Sequence, residues 1–347
     1  MRKLPIYFVI DTSESMVGEP IAAVEQGLAA MLGALRKDPY ALETAYVSVV
    51  TFGTTAKQAV PLTELSQLVL PKFVLGSGTA LGAALELLEK RMAAEVMKST
   101  ATVKGDYKPL VFLLTDGEPT DRWEAVADRL MKNRSLQVVA IGCGPDANQA
   151  TLSRITELVV LGKAANQETF AKFFRWVSSS VAVASQSVDQ AEETKLSLDK
   201  FPQDDDLKIV DESTPVPPVI QNRFVFLHCR CTKTRQFYLM KYARSDEKSG
   251  GFFGIGSSNI YKAAGAFPLD DFEQAAKGAG VTVSINQLDK IEPCPYCHNA
   301  MSAHCVCGKI HCCPELTRNT VELTCPWCGN RGTYGLSDGF SIGAGGG

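Results

Sequence analysis

The residues best suited to chemistry are thiols, and they crowd one end of the chain. Of eleven cysteines in 347 residues, only Cys143 precedes position 220. The others are Cys229, Cys231, Cys294, Cys297, Cys305, Cys307, Cys312, Cys313, Cys325 and Cys328, with all four histidines (His228, His298, His304 and His311) among them. CPYC (294–297) and CPWCG (325–329) are Cys-x2-Cys knuckles with a proline inside, the turn that aims two sulfurs at one tetrahedral zinc. AHCVCGKIHCC, between them, supplies further ligands. The expected zinc set is Cys294, Cys297, Cys305, Cys307, Cys312, Cys325 and Cys328, completed by Cys313 or His311. The pairing stays open. In a ribbon, Cys294, Cys297, Cys325 and Cys328 share one zinc, and Cys305 and Cys307 join two of His311, Cys312 and Cys313 on another. In a cross-brace, alternate pairs share a metal. Cys229 and Cys231 either add ligands or are buried strand thiols. Four soft ligands close a site, so one or two structural zinc ions are expected, stapling a domain with few large apolar residues. A redox reading is the weaker one, because neither knuckle opens a helix after a strand. Cys143 reads as a packed core thiol.

A second constellation is built of oxygen. DTSES places Asp11, Ser13 and Ser15 at the end of an apolar run, and in extended chain the three point to one side. One carboxylate and two hydroxyls are hard ligands, suited to Mg²⁺, Mn²⁺ or Ca²⁺ rather than zinc. Thr79 lies on the Gly-rich turn GSGTALG before a helix, and Asp116 ends the apolar strand of LLTDGEPTD. Each piece alone could be a helix cap or a turn former. Three of them at strand ends point to one site. Glu14, Glu19, Glu118 and Asp121 flank it in sequence and would give it an acidic rim.

The elements that must carry these residues alternate. IYFVI (6–10), AYVSVVTF (45–52), PLVFLL (109–114), QVVAIG (137–142) and LVVL (158–161) read as buried strands. Between them, Ile21, Val24, Leu28, Met31, Leu32 and Leu35 recur at helical spacing, as do Leu81, Leu85, Leu88, Met92 and Val96. Shorter helices are expected at about 121–134 and 150–158, and Phe170, Phe173, Phe174, Val177 and Val181 close the pattern with a last one. Near-continuous apolar strands alternating with helices predict an α/β, doubly wound, mainly parallel sheet, with ligands outside the carboxyl ends of the strands. Residues 189–212 then carry nine acidic residues against three lysines, with STPVPP following. That composition predicts a linker over 187–220. RFVFLHCRC and RQFYLMKYAR (223–244) read as two strands opening a smaller, zinc-stapled, β-rich domain over 221–340, with a flexible Gly-rich tail at 341–347.

The order and spacing of Asp11, Ser13, Ser15, Thr79 and Asp116 resemble the metal-ion-dependent adhesion site of von Willebrand factor A domains over about residues 1–186. The resemblance implies that Ser13, Ser15 and Thr79 contact a divalent ion through hydroxyls and that Asp11 and Asp116 hold it, often through water. It also implies an open coordination position, filled by a partner's Asp or Glu. With the CPYC and CPWCG domain behind it, the whole chain resembles the TerY-type tellurite-resistance proteins. By that resemblance the partners are a serine/threonine protein kinase and a 2C-class protein phosphatase, and the function is that of a non-enzymatic adaptor in stress phospho-signalling. Cys305-x-Cys307 departs from the usual knuckle by one residue.

Composition narrows the alternatives. A net charge of −3 gives no general pull toward nucleic acid or an anionic membrane. No apolar run approaches the ~18–20 residues of a membrane span. The apolar stretch of MRKLPIYFVIDTSES stops at Asp11 without a small-residue cleavage site, so it reads as a strand rather than a signal peptide, and the expected location is cytoplasmic. There clustered thiols indicate metal before disulfides. GGFFGIGSS lacks the Lys-Ser/Thr of a phosphate loop, so no ATP hydrolysis is expected. A RING-like ubiquitin ligase would need a cross-brace with an apolar groove. A zinc-bearing subunit of a nucleic-acid machine would need more basic residues than Arg223, Arg230, Lys233, Arg235, Lys241 and Arg244.

Overall fold

Leu4–Asp11 is buried at every position, as a central strand covered on both faces must be. In the computed structural model this strand, β1, opens a unit that spans Met1–Val219, and Ile220–Gly347 forms a second. The structure describes residues 2–144, 147–186, 196, 201, 206–210, 223–245, 260–269, 272–273, 281–315, 319–335 and 341–346.

The first unit continues with α1 (Glu19–Leu35), α2 (Pro39–Thr44), β2 (Ala45–Phe52), β3 (Ala56–Glu64), α3 (Leu81–Glu95) and β4 (Leu110–Thr115). Then come α4 (Glu124–Lys132), β5 (Gln137–Cys143), α5 (Gln149–Ile155), β6 (Val159–Gly162), α6 (Gln167–Gln186) and β7 (Leu207–Ile209). The sheet order is β3-β2-β1-β4-β5-β6-β7, parallel except at its two edges. Alternation along β1 divides the core. Leu4, Ile6, Phe8 and Ile10 face α1 and α6, while Tyr7 and Val9 face α3, α4 and α5. The first layer is close: a Cβ on Gly27 of α1 would fall 2.4 Å from Phe174 of α6, so only glycine lets these helices touch. This is the doubly wound α/β fold that the strand pattern predicts.

The expected linker is not wholly a linker. Leu207–Ile209 adds an antiparallel edge strand to β6, Phe201 packs on Trp176, and Leu196 is buried. The acidic composition hides these few apolar residues, which bury against the sheet edge and α6. Asp206 pairs with Lys172 at 2.6 Å. Most of the acidic run, and all of GGFFGIGSS, lies outside the described residues.

The second unit contains β8 (Phe224–Arg230), β9 (Phe237–Arg244), β10 (Tyr261–Leu269), β11 (Val281–Ser284), β12 (Met301–His304) and β13 (Ile310–Cys313). It ends with β14 (Thr320–Thr324), β15 (Arg331–Gly335) and β16 (Ser341–Gly346). Strand order in the main sheet is β10-β9-β8-β13-β12, and β14 and β15 form a separate hairpin. The expected Gly-rich tail is corrected here. Ser341–Gly346 is a strand paired with β11 and β8, and it buries Ile342 and Ala344 on one face in period-2 alternation. The core of this unit is small, and Cys229, Cys231, Cys294 and Cys312 belong to it.

Candidate metal centres

Asp11 ends β1 and Asp116 follows β4, so two adjacent parallel strands deliver carboxylates to the same edge of the sheet. A buried chain of hydrogen bonds joins them. The Ser13 amide donates to Asp11 Oδ1 (2.8 Å), the Ser13 and Ser15 hydroxyls lie 2.9 Å apart, and Ser15 Oγ donates to Asp116 Oδ1 (2.6 Å). Thr115 Oγ1 donates to the other oxygen of Asp11 (2.6 Å). Thr79 closes the cup: a Cβ on Gly117 would lie 3.4 Å from Thr79 Oγ1 and 3.7 Å from Ser15 Oγ. All five sequence-expected residues are buried and converge here.

The electrostatics of this cup suit a hard cation. Burial pushes the Asp11 carboxyl up to about 6, against hydrogen bonds from Ser13 and Thr115 that favour its ionised form. Those partners are neutral donors. A buried carboxylate offset only by neutral groups is costly, and a divalent ion among oxygen donors would offset it. Cys143 lies close enough that burial, then Asp116 and Asp11, raise its thiol well above the usual range. It is a packed thiol under the cup rather than a ligand.

The acidic rim is only partly there. Asp121 spends both carboxylate oxygens on the amides of Gly82 and Ala83 (2.8 and 2.9 Å), satisfying donors left open at the start of α3. A Cβ at Gly82 would fall 2.1 Å from the Arg122 carbonyl, so this junction requires glycine. Thr120 exchanges hydrogen bonds with Thr79 at 2.9 Å, so the 116–121 loop also holds the Thr79 turn in place. Glu118 accepts from Asn148 (2.5 Å), and Glu14 is buried. Glu19 and Glu118 remain exposed.

In the second unit the sulfurs assemble into two groups. Cys231, Cys294, Cys297 and Cys312 form one, and Cys305, Cys307, Cys325 and Cys328 the other, with ligand atoms within 4.8 Å of one another in each. A tetrahedron of thiolates about 2.3 Å from zinc has sulfurs about 3.8 Å apart. Observed separations are 3.5 Å for Cys297–Cys312, 3.7 Å for Cys305–Cys328 and 3.9 Å for Cys307–Cys325. Disulfides would bring sulfurs to about 2.05 Å. The donor sets therefore fit closed tetrathiolate zinc.

The geometry overturns the ribbon pairing. The two groups interleave along the chain, nearer to a cross-brace, and each brings together knuckles that the ribbon would separate. Cys313 and His311 do not join. Along β13, Cys312 faces the first cluster, and period-2 alternation turns its neighbours His311 and Cys313 to the other side. His311 is buried there, its Nδ1 3.1 Å from the Cys312 carbonyl and its ring edge-on to Tyr334. Among the described residues no histidine belongs to either group.

Cys231 is the ligand that the motif reading leaves open, and its turn explains its place. Four turns share one design, in which an amide four residues on, or three in the shortest, donates back to the carbonyl of the leading cysteine. They run Cys231 to Arg235, Cys294 to His298, Cys305 to Gly308 and Cys325 to Gly329. Each ends on a left-handed residue, with φ of 61°, 60°, 80° and 79° respectively. In the first, Thr234 stands where the second cysteine would be and donates its amide to Cys231 Sγ (3.4 Å). Cys312 supplies the missing sulfur and takes hydrogen bonds from the Thr232 amide (3.2 Å) and Asn299 Nδ2 (3.6 Å). In each cluster one thiol moves toward thiolate. Burial opposes ionisation of Cys231 and Cys305, but hydrogen bonds outweigh it and bring both to about 6. Cys229, by contrast, is a buried strand thiol raised by burial.

A doubly wound sheet with an oxygen-lined cup at the carboxyl end of its central strands defines an adhesion-type A domain. The chain belongs to the von Willebrand factor type A domain family, whose model matches residues 6–180. The TerY-C metal binding domain matches residues 221–347, so the pairing of domains is TerY-type. Solved structures with a similar fold include proximal thread matrix protein 1 from the mussel byssus, 21% identical over 52% of this chain and 46% of that one, with a TM-score of 0.39. The pilus adhesin SpaC from Lactobacillus rhamnosus GG is 16% identical over 52% of this chain and 31% of its own, TM-score 0.43. The ArnB paralog VWA2 from Sulfolobus acidocaldarius is 11% identical over 99% of this chain and 66% of its own, TM-score 0.38. This chain thus spans less than half the length of the first of these. No curated protein matches it. Among the described residues, no helix is long and apolar enough to cross a membrane.

Proposed function

We propose that the chain is a non-enzymatic adaptor that captures partner proteins through a divalent cation in the Asp11–Asp116 cup. The observation that carries this reading is the buried relay Asp11–Ser13–Ser15–Asp116, which assembles hard oxygen donors at a sheet edge, with only neutral hydrogen-bond donors to Asp11 among the described residues. When bound, Mg²⁺ or Mn²⁺ would supply a positive centre with room for one more oxygen. Asp11 and Asp116 would hold the ion, and Ser13, Ser15 and Thr79 would contact it through their hydroxyls. A partner's Asp or Glu completes the set. With the two site carboxylates neutralising the ion, exposed Glu19 and Glu118 leave a negative field, so a single carboxylate flanked by Lys or Arg should bind better than an acidic run. The zinc unit serves as a second interaction module. Following the family resemblance, the partners are a serine/threonine kinase and a 2C-class phosphatase in a cytoplasmic stress response of the tellurite-resistance type.

The test is binding of such a kinase and phosphatase to the full chain in Mg²⁺ and in EDTA, with wild type and Asp11→Ala. Binding should fall at least tenfold in EDTA and in the variant. Equal binding in EDTA would overturn the cation-mediated mechanism.

A further inference from the structure

The two sulfur clusters are not equivalent toward solvent. In the first, Cys231, Cys294 and Cys312 are buried and Cys297 is half-buried, within a core shared with Tyr238 and Met240. In the second cluster Cys307 and Cys328 are exposed. They sit on the tips of two turns, next to a Val306 that is 94% exposed. What the second cluster supports is also different. It ties the Cys305 turn to the β14–β15 hairpin, a separate two-stranded sheet in which no residue is buried. Two-stranded hairpins are marginal by themselves in water. Further anchors of the hairpin are the Trp327 hydrogen bond to the Ile310 carbonyl (2.6 Å), the packing of Tyr334 on His311 and of Trp327 on Phe237, and the Arg230 hydrogen bond to the Pro326 carbonyl (2.9 Å).

We propose that the Cys305–Cys307–Cys325–Cys328 cluster is an oxidation site for small peroxides, which discharges its metal and loosens the β14–β15 hairpin while the first cluster stays intact. The proposal rests on the zinc reading of both clusters. The thiolate sulfur of Cys307 or Cys328 attacks hydrogen peroxide. The O–O bond breaks, one oxygen passes to sulfur as sulfenate, and the other leaves as water after taking a proton. A neighbouring thiolate then attacks that sulfur, an S–S bond forms, and the sulfenate oxygen leaves with further protons as water. Two thiolates have lost two electrons in all, and the peroxide has gained them. The neighbour is already close: Cys325 lies 3.9 Å from Cys307, and Cys305 lies 3.7 Å from Cys328. Closing to a disulfide of about 2.05 Å asks for under 2 Å of approach. Two remaining thiolates no longer close a tetrahedron, and the ion passes to solvent.

The experiment treats the zinc-loaded full chain with hydrogen peroxide in the presence of a chromophoric zinc indicator. Oxidised cysteines are located by differential alkylation and mass spectrometry, and backbone loosening by hydrogen exchange. Two zinc equivalents should be present at the start. One should leave at least tenfold faster than the other, with oxidation confined to Cys305, Cys307, Cys325 and Cys328 and faster exchange confined to 319–335. A thiol reductant with added zinc should reverse all three changes. A protein isolated with no bound zinc would overturn the zinc reading itself. Two bound zinc ions that leave together, or first loss from the Cys231 cluster, would overturn this proposal while leaving that reading in place.

Discussion

Asp11 and Asp116 project from strands that helices cover on both faces, whereas Cys231, Cys294 and Cys312 are themselves part of the core that they serve. In the first unit the apolar layers of Phe8, Leu28 and Phe174 on one side, and of Val9, Leu85 and Leu130 on the other, are built from side chains that are not candidate ligands. The oxygen cup is an addition to that frame. Indeed burial lifts Asp11 to about 6, so its ionised form costs the metal-free fold increasingly as pH rises from about 4 to 6, and fully above that. In the second unit, removing metal leaves thiolates crowded within a small core and turns with nothing to hold. One kind of site is borne by its fold, and the other bears it.

The largest effect that separates the two follows from stripping all metal from the full chain with a strong chelator. Structural zinc contributes on the order of 10 kcal/mol in small zinc domains, comparable with the whole stability of a domain. Amides of Leu227, Met240 and Ile310 should lose hydrogen-exchange protection entirely, and those of Phe8, Leu113 and Phe173 should keep theirs. Joint loss in both units would erase the distinction.

A smaller effect is expected at Asp121, which is tied to the frame rather than to the ion. Asp121→Ala leaves the Gly82 and Ala83 amides without their acceptor and should lower the thermal stability of the first unit by about 1 kcal/mol. Because the same loop holds Thr79, Mn²⁺ affinity should weaken several-fold, with zinc content unchanged. Full Mn²⁺ affinity in this variant would show that the loop does not position the cup.

Smallest is the change at the turn ends. His298 and Arg235 adopt left-handed backbone where the equivalent positions of two other turns have Gly308 and Gly329. His298→Gly should relieve strain against a loss of unfolded-state restriction, leaving stability within about 1 kcal/mol of wild type. Gly329→Ala should destabilise by about 1 kcal/mol. Competition with a zinc indicator reads both. A collapse of zinc binding in His298→Gly would mean that the imidazole does more than end the turn.

Much of this was legible in the sequence because the responsible signals are local. Fully apolar runs such as LVFLLT mark central strands, helical spacing marks α1, α3 and α6, and the two Pro-containing knuckles display four ligands outright. What stayed hidden depends on distant partners. Cys231 follows a strand in a turn whose second cysteine is replaced by Thr234, and its cluster is completed only when β13 lies beside β8. Cys313 stands beside Cys312 in sequence, and the pleat of β13 alone sends it elsewhere. Asp121 looks like one more surface acid until α3 is seen to begin against it. Leu207–Ile209 and Ser341–Gly346 were masked by acidic and glycine-rich surroundings, and each pairs with a strand formed much earlier in the chain.

On this proposal Asp11, Ser13, Ser15, Thr79 and Asp116 hold one divalent cation on a fold that does not need it. The most direct measurement is a titration of Mn²⁺ into the zinc-loaded full chain and its Asp11→Ala variant, with free Mn²⁺ read by electron paramagnetic resonance. Hydrogen exchange on both proteins checks the fold. One Mn²⁺ should bind per wild-type chain and be displaced by Mg²⁺, and none should be held by a variant whose first unit remains protected. No saturable binding by wild type, or equal binding by the variant, would contradict the proposal.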